Sequence, residues 1–438
     1  MTRAAAVSLG HARRPSVAAL VRTAGSVAIL VVGASGVLIA LGGAAADHGY
    51  LVPSLRRVWA GFIAGPLAGA GVAAPLHVFF TEVAVMTGAY AVAVVCAAQV
   101  RLRWIAAAVL VLHVAFLLAP PLLSTDVFNY IDVARLGGRY HLDPYVHTPA
   151  IERHDAVYPF LHWRHAVTDY GPLFTLAVRP LGRLTVEQAL WSFKAIAALA
   201  GLGCSALIGW IAHRRGGSAA RALAVFGLNP ILLVWTVGGA HNDLLMLLLL
   251  LAGVALAVAG RPASGGAALV GAAAVKLSAG LAIPFLVARR APGRLALLAG
   301  IAAAAAIVAA ISIVGFPDHA LRMFGRLQRQ EGLVDIGSVP LGLAYVHGLT
   351  RVVPREMQVL HALLAVWVAG WLVYAARGGD ALAAAGWALL GVIVTSSWLL
   401  PWYLVWPLAL AAATDRRRLL LATCAVGASY VIGHAPLA

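Results

Sequence analysis

The residues best suited to chemistry lie in one polar stretch, STDVFNYIDVARLGGRYHLDPYVHTP (residues 124–149), directly after a long apolar run. Asp126 is its first carboxylate, and Asn129 and Tyr130 follow three and four residues later. On a helix these three side chains share one face. A carboxylate in a partly dehydrated pocket is suited to be a general base. The alternative is that Asp126 only stabilises the first turn of a helix.

A short amphipathic helix is predicted to carry this face. Pro-Pro at 120–121 ends the apolar run, Ser124 or Thr125 can begin and cap a new helix, and Gly-Gly at 137–138 can end it. We expect Asp132 to lie well around the helix from Asp126, with Val133 and Leu136 continuing toward its apolar side. Asp143 and Tyr145 follow in a turn and are candidate substrate-binding residues.

A second polar group interrupts the run VGGAHNDLLMLLLLL, where one apolar segment ends and the next begins. Here His241, Asn242 and Asp243 could hydrogen-bond sugar hydroxyls or position an acceptor. The alternative is a capped helix start, with Asn242 or Asp243 as the cap.

Lys276 lies between two apolar arms of about 12 residues each, in GAAAVKLSAGLAIPF. A lone ammonium at the centre of a span costs at least ~2.5 kcal/mol, so it needs an anion. We expect Lys276 either to offset a lipid phosphate or to extend to the membrane interface.

Three arginines of a later connection have spacings of four and three, which places Arg322, Arg326 and Arg329 on one helical face. These arginines are candidates for binding a phosphate or acidic headgroup. The alternative is a solvated interfacial helix.

Aromatic residues form the last group of candidates. Tyr170 lies in TDYGPLF, and Trp402 and Tyr403 lie in SSWLLPWYLVWPL. Aromatic faces stack on sugar rings, but the same residues are also typical of an interfacial belt. We therefore carry both interpretations forward.

The elements that must position these groups are membrane helices. The chain has 438 residues, of which 62% are hydrophobic and only 11% charged, whereas soluble domains average about 25% charged residues. Apolar runs near bilayer length recur throughout. The fold class is therefore an all-α polytopic membrane protein forming one domain over residues 24–438, after a basic cytoplasmic segment at 1–23. We expect the first helix to be an uncleaved signal anchor.

About 13 crossings are predicted, at 24–45, 76–99, 104–122, 187–212, 219–239, 243–260, 263–275, 277–288, 294–315, 358–376, 381–399, 402–414 and 419–434. This count puts the basic clusters between spans on one face, the cytoplasm. It requires the two short arms around Lys276 to form a hairpin. The long connections near 123–186 and 316–357 then lie outside.

Several classes of function are disfavoured. The net charge of +16 is distributed as topology signals, so we expect no nucleic-acid partner. No nucleotide-binding motif and no metal-ligand pattern is visible, so we expect no cofactor and no metal. The three cysteines lie in apolar runs and are interpreted as small core residues. An activated donor dissolved in the membrane is the better source of energy.

The order of these segments resembles a known family. It runs from residues 124–149 through YGPLF, NPILLVWTVGGAHNDLLML, AAAVKLSAGLAIPFL and PWYLVWPL, and covers roughly residues 105–415. It resembles the polyprenol-phosphomannose-dependent α-1,6-mannosyltransferases of actinobacteria, the MptB type, within the GT-C glycosyltransferase superfamily. One departure is RYHLDPY, where the family more often has Gly before Leu-Asp-Pro-Tyr.

The resemblance implies an inverting glycosyltransferase in a bacterial, actinobacterial cell membrane, with Asp126 as general base at the outer face. Its donor would be polyprenyl phosphomannose, reached from the membrane lipid. Its acceptor would be a mannoside or glycolipid of the cell envelope, such as lipomannan. Two alternatives stay open, a GT-C enzyme for another lipid-linked sugar such as glucose or arabinose, and a transporter of a lipid-linked sugar. A scaffold role fits the outer polar groups least well.

Overall fold

The computed structural model describes residues 16–45, 61–289, 291–317 and 333–434, and within these ranges it is helical without any β-strand. The longer α-helices have 13 residues or more. They are α1 Val17–Gly43, α2 Leu76–Cys96, α3 Leu102–Leu118, α4 Asp126–Gly138, α6 Val186–Arg214, α8 Asp243–Val258, α9 Pro262–Val275, α11 Arg294–Gly315, α13 Pro354–Ala376, α14 Ala381–Thr395 and α16 Arg417–His434.

Shorter helices connect them. The short α-helices are α5 Pro172–Ala177, α7 Ala219–Gly227, α10 Ala282–Ala288, α12 Val339–Val346 and α15 Val405–Thr414, and a π-helix covers Ile231–Val237. The 3₁₀ turns are Gly61–Ile63, Gly65–Leu67, Ala97–Gln99, Pro149–Glu152, Tyr158–Phe160, Arg179–Arg183, Leu277–Leu281 and Pro401–Leu404.

The predicted spans coincide closely with these helices, but the helices differ in length. Five helices of the described ranges are long and apolar enough to cross a membrane, and six are if α7 and the π-helix count as one bent span. That pair bends by 49° at Asn229-Pro230, where proline removes a backbone donor. Further apolar helices of 10–17 residues complete the bundle. The count of 13 crossings therefore stays a prediction.

Arginines from separate connections meet at one end of the bundle. The Asp380 carboxylate accepts from Arg215 at 2.8 Å and from Arg416 at 3.2 Å. The last turns of α8 line a pocket with Arg215 and Asp380, whereas its first residue, Asp243, contacts Lys276. With 16 residues in α8, the rise of 1.5 Å per residue separates the two ends by about 24 Å.

The chain doubles back around Lys276, as the predicted hairpin requires. Helix α9 ends at Val275, Lys276 is extended, and the 3₁₀ turn and α10 follow. After α10 the chain returns to the start of α9, because a Cβ added to Gly293 would lie only 2.8 Å from Pro262. Lys276 therefore lies at the tip of the hairpin.

A buried ion pair holds the first long connection against α4. The Arg135 Nε atom lies 2.8 Å from both carboxylate oxygens of Asp155, and Tyr140 also donates to that carboxylate. Arg135 donates a further bond to the Leu184 carbonyl at 3.0 Å. A buried ion pair with its remaining groups bonded avoids most of the desolvation penalty. The connection that contains Asp155 is therefore fixed against α4.

The close contact between α4 and the 3₁₀ turn Arg179–Arg183 generates a test of this packing. A Cβ at Gly182 would lie 2.0 Å from the Ala134 carbonyl oxygen, so Gly182→Ala must force the two segments apart by about 1 Å. Overpacking of this kind costs roughly 1–3 kcal/mol. The variant should therefore show a lower midpoint of thermal unfolding in detergent.

The matched control is Gly88→Ala in α2, where nothing lies within 4 Å of the added methyl group. We expect its midpoint to stay equal or rise slightly, because alanine favours a helix over glycine. Equal midpoints for the two variants would contradict the packing described for Gly182.

Candidate active site

A cavity of about 540 Å³ lies at the end of the bundle opposite the arginines. It is formed by α4, by the loop before α5, by the hairpin tip and by the segment that precedes α15. Six of the residues predicted for catalysis or binding line it: Asp126, Asn129, Tyr170, Lys276, Trp402 and Tyr403. The fold thus brings together segments that are far apart in the sequence.

Asp126 is the first residue of α4 and one wall of this cavity. Its backbone amide donates to Ser124 Oγ at 3.1 Å, and its side chain is 20% exposed. Burial raises the pKa of the Asp126 carboxyl to about 7, an increase that Lys276 opposes and nearby carboxylates reinforce. A carboxyl that titrates near neutral pH can take and release a proton efficiently.

His241 is the nearest polar neighbour of Asp126. Its Nδ1 lies 3.6 Å from Asp126 Oδ2, and its ring stacks on Trp402 with 3.7 Å between ring centroids. The side chain is completely buried, and burial together with Lys276 lowers the pKa of His241 well below its usual value. His241 is therefore neutral, and it can orient an ionised Asp126 by donating from Nδ1.

Tyr130 lies behind this pair. Its hydroxyl is 3.5 Å from His241 Nδ1 and 3.4 Å from the Asn242 side-chain oxygen. These contacts are longer than good hydrogen bonds. Catalytic contacts of this length commonly tighten when a substrate binds. Because Tyr130 is almost fully buried, it supports His241 rather than facing the cavity.

The anion that Lys276 needs is supplied by the protein itself. Its Nζ lies 2.8 and 2.9 Å from the two carboxylate oxygens of Asp243, and Trp406 Nε1 donates to the same carboxylate at 2.8 Å. Lys276 also lies 4.8 Å from the ring centroid of Tyr403. Asp243 is fully buried, whereas 18% of the Lys276 side chain is exposed. The site therefore presents the lysine to the cavity and keeps Asp243 behind it.

The YGP segment positions the hairpin tip. The amide of Gly171 donates to the carbonyl of Val275 at 3.0 Å, next to Lys276. A Cβ at Gly171 would lie 2.0 Å from the Ala274 carbonyl oxygen, so only glycine allows this approach. Tyr170, beside it, packs edge-on against Tyr130 with 5.1 Å between ring centroids. Tyr170 is thus part of the site rather than of an aromatic belt alone.

Asn129 and Asp132 extend the Asp126 face of α4. Neither side-chain amide atom of Asn129 has a partner among the described residues, although both atoms are buried. Asp132 was expected to lie well around the helix, but it lines the same cavity, and so do Val133 and Leu136. Asp132 does lie well around the helix from Asp126, but the cavity wraps around α4 over an arc wide enough to include both residues. Burial raises the pKa of Asp132 to about 7.

Two predicted binding residues have structural contacts away from the cavity wall. Asp143 Oδ1 accepts from the Tyr145 amide at 2.8 Å, and the Tyr145 hydroxyl donates to the Tyr170 carbonyl at 2.8 Å. The structure thus brings them to the turn that supports Tyr170. Arg322, Arg326 and Arg329 lie outside the described residues. Within the described ranges no three His, Cys, Asp or Glu side chains are grouped as a metal site.

Sequence reasoning missed several residues that the fold brings to the site. Trp406 belongs to the aromatic segment SSWLLPWYLVWPL but was not among the predicted site residues, yet its Nε1 donates to Asp243. His147, Trp163 and Trp398 line the cavity as well. Their aromatic and polar character was visible in the sequence, but only tertiary packing shows which of them face the cavity.

Comparison with known proteins places the chain in a family. Residues 30–292 match the model described as alpha-(1->6)-mannopyranosyltransferase, N-terminal domain, and residues 335–435 match the MptB C-terminal domain. No solved structure matches the chain.

Curated relatives carry the same name. Alpha-(1->6)-mannopyranosyltransferase A of Mycobacterium tuberculosis is 30% identical over 350 residues, which is 72% of this chain and 66% of the relative. The protein of that name from Corynebacterium glutamicum is 30% identical over 179 residues, or 40% of this chain and 36% of the relative. The chain thus matches only part of the length of these relatives. On the two family models together, it belongs to the alpha-(1->6)-mannopyranosyltransferase family.

Proposed function

We propose that the chain is a membrane glycosyltransferase that moves a mannosyl residue from polyprenyl phosphomannose to a mannoside or glycolipid acceptor, with Asp126 as general base. The observation that carries the proposal is the placement of the largely buried Asp126 carboxylate in the wall of a cavity among apolar helices. The names of the curated relatives support mannose as the sugar.

The chemistry needs one base. Asp126 takes the proton of the acceptor hydroxyl while the hydroxyl oxygen forms a bond to the anomeric carbon. The bond from that carbon to the phosphate oxygen breaks, and polyprenyl phosphate leaves with the electron pair. Attack from the opposite face inverts the configuration, so a β-linked donor gives an α product. A phosphate leaving group is already acidic, so the protonating carboxylic acid of a glycosidase is not required.

The second requirement is stabilisation of the negative charge that develops on the leaving phosphate. The Lys276 ammonium has three N–H donors, and its bond to Asp243 leaves donor capacity directed at the cavity. Because Asp243 neutralises most of its charge, Lys276 acts chiefly as a fixed hydrogen-bond donor. Arg322, Arg326 and Arg329 remain the proposed source of net positive charge.

Sugar binding is assigned to the unpaired and aromatic groups of the cavity. Asn129 offers both a donor and an acceptor without a partner among the described residues, which suits a sugar hydroxyl. Asp132 adds a carboxylate one turn further along α4. Trp402 and Tyr403 contribute aromatic faces to the same wall.

The cavity is proposed to face the outside of the cell. The arginines of several connections gather at the other end of the bundle, and basic loops mark the cytoplasmic side. A donor dissolved in the membrane would then reach the cavity laterally. The bacterial cell membrane is the proposed location.

Replacement of Asp126 by Asn tests the base directly. Asp126→Asn keeps the size of the side chain but cannot take a proton, so transfer should fall by about 10²- to 10⁴-fold. The measurement uses membranes containing the protein, radiolabelled polyprenyl phosphomannose and a short mannoside. The matched control is Asp415→Asn, at the opposite end of the bundle beside Arg221, which should keep full activity.

If Asp126→Asn, at equal expression, kept most of the turnover, Asp126 would not be the base and would only stabilise the first turn of α4. Replacing the donor with other lipid-linked sugars in the same assay tests the choice of mannose. Movement of the lipid-linked sugar across the membrane without a longer mannoside would instead establish a transporter.

The pH dependence of the transfer rate tests whether ionisation of the Asp126 carboxyl controls the reaction. Because burial raises the pKa of Asp126 to about 7, the reactive ionised form accumulates only as pH rises through 7. The rate should therefore increase with pH along a limb of apparent pKa near 7. Lys276 lowers the pKa of Asp126, so Lys276→Gln should move this limb to higher pH.

The control for this profile is again Asp415→Asn, whose limb should coincide with that of the unchanged protein. A pH-independent rate between 5 and 9 in the unchanged protein would show that the carboxyl does not titrate in the rate-determining step.

A further inference from the structure

Asp126 and His241 are each preceded by a backbone turn of unusual conformation. Leu123 has a φ of 59° and Ala240 a φ of 58°. Residues with a side chain rarely adopt this left-handed region, and such strain persists only where the surrounding structure enforces it. Something must therefore hold both turns in place.

Lys194 of α6 lies between the two turns. Its side chain is completely buried, and Nζ lies 3.1 Å from the Gly238 carbonyl oxygen and 3.4 Å from the Pro120 carbonyl oxygen. The Leu122 amide donates to the same Gly238 carbonyl at 3.0 Å. The turn before Asp126 and the turn before His241 are thus joined through the Lys194 amino group and one backbone hydrogen bond.

This lysine has no other evident reason to be buried. Within the described ranges no carboxylate forms an ion pair with it, and it does not line the cavity. An ammonium inside an apolar helix bundle is costly and tends to mark a function. Both of its partners are backbone carbonyls beside the strained turns, and Lys194 adds a second donor to the Gly238 carbonyl.

We propose that Lys194 is a positioning residue for the transfer reaction, which fixes the turns at 120–123 and 238–241 so that Asp126 and His241 meet. It touches neither the sugar nor the lipid phosphate and acts only through this geometry. The inference rests on the proposed role of Asp126 as base.

Replacement of Lys194 tests the proposal. Lys194→Met keeps the length of the side chain but removes the ammonium, so Asp126 and His241 should separate. A misplacement of about 1 Å costs on the order of 100-fold in rate, so kcat should fall by about 10- to 100-fold, with KM for polyprenyl phosphomannose nearly unchanged. The acid limb of the pH profile should move to lower pH, because the loosened pair admits water to the carboxylate.

Three further variants complete the experiment. Lys194→Arg retains a cation that can donate to both carbonyls and should recover part of the lost kcat. Lys194→Gln is neutral and shorter, and it should reproduce the selective loss of kcat should Lys194→Met not fold. The control is Ser205→Ala on the same helix, because the buried Ser205 hydroxyl donates only to the Gly201 carbonyl of its own helix. It should change neither kcat nor the pH limb.

The result that overturns the proposal is a folded Lys194→Met or Lys194→Gln protein with the kcat and pH limb of the unchanged chain. An equal loss in Lys194→Arg and Lys194→Met, or a loss confined to KM, would also overturn it. Failure of this proposal can be distinguished from failure of the base assignment. Should Asp126→Asn stay active, the proposed function fails, whereas an inactive Asp126→Asn beside a normal Lys194→Met refutes only the role of Lys194.

Discussion

The burial of one carboxylate at the end of a helical bundle is the constraint on which the rest of the site depends. A carboxyl removed from water resists ionisation unless dipoles or cations compensate. Asp126 is placed where the compensation is partial, with His241 at 3.6 Å and the Lys276 ammonium already paired with Asp243. Its pKa near 7 follows from that balance. Fuller compensation would lower the pKa of Asp126 and make its carboxylate a weaker base. Less compensation would raise the pKa further and leave the carboxyl protonated at neutral pH.

Three charged groups of the site lie where helices begin or end, and helix ends leave backbone groups without intrahelical partners. Asp126 begins α4, Asp243 begins α8, and Lys276 lies at the break after α9. Each contributes from an end that has backbone groups to satisfy, so three helix ends meet at one cavity. The 16 residues of α8 then separate the cavity from the arginine-rich end by about 24 Å.

The sequence allowed prediction of much of this arrangement, because the length of apolar runs predicts the helices and the polar, Gly and Pro residues that interrupt those runs predict where they end. The helix at Asp126, the hairpin at Lys276 and the break before Asp243 were all predicted close to their observed bounds. What could not be predicted was which groups face one another. The pairing of Lys276 with Asp243, the wide arc that includes Asp132 and the bonds of Lys194 depend on contacts between distant segments. Local spacing carries no information on those contacts.

Titration of the Asp126 carboxyl by infrared difference spectroscopy is the most direct test of the central claim, that this group is buried and ionises near neutral pH. The band that is absent from an Asp126→Asn sample identifies the signal and separates it from Asp132. The account predicts that the protonated carboxyl band disappears with a midpoint near pH 7. A midpoint near the ordinary value for aspartic acid, about 4, would contradict it, because the carboxylate would then be hydrated.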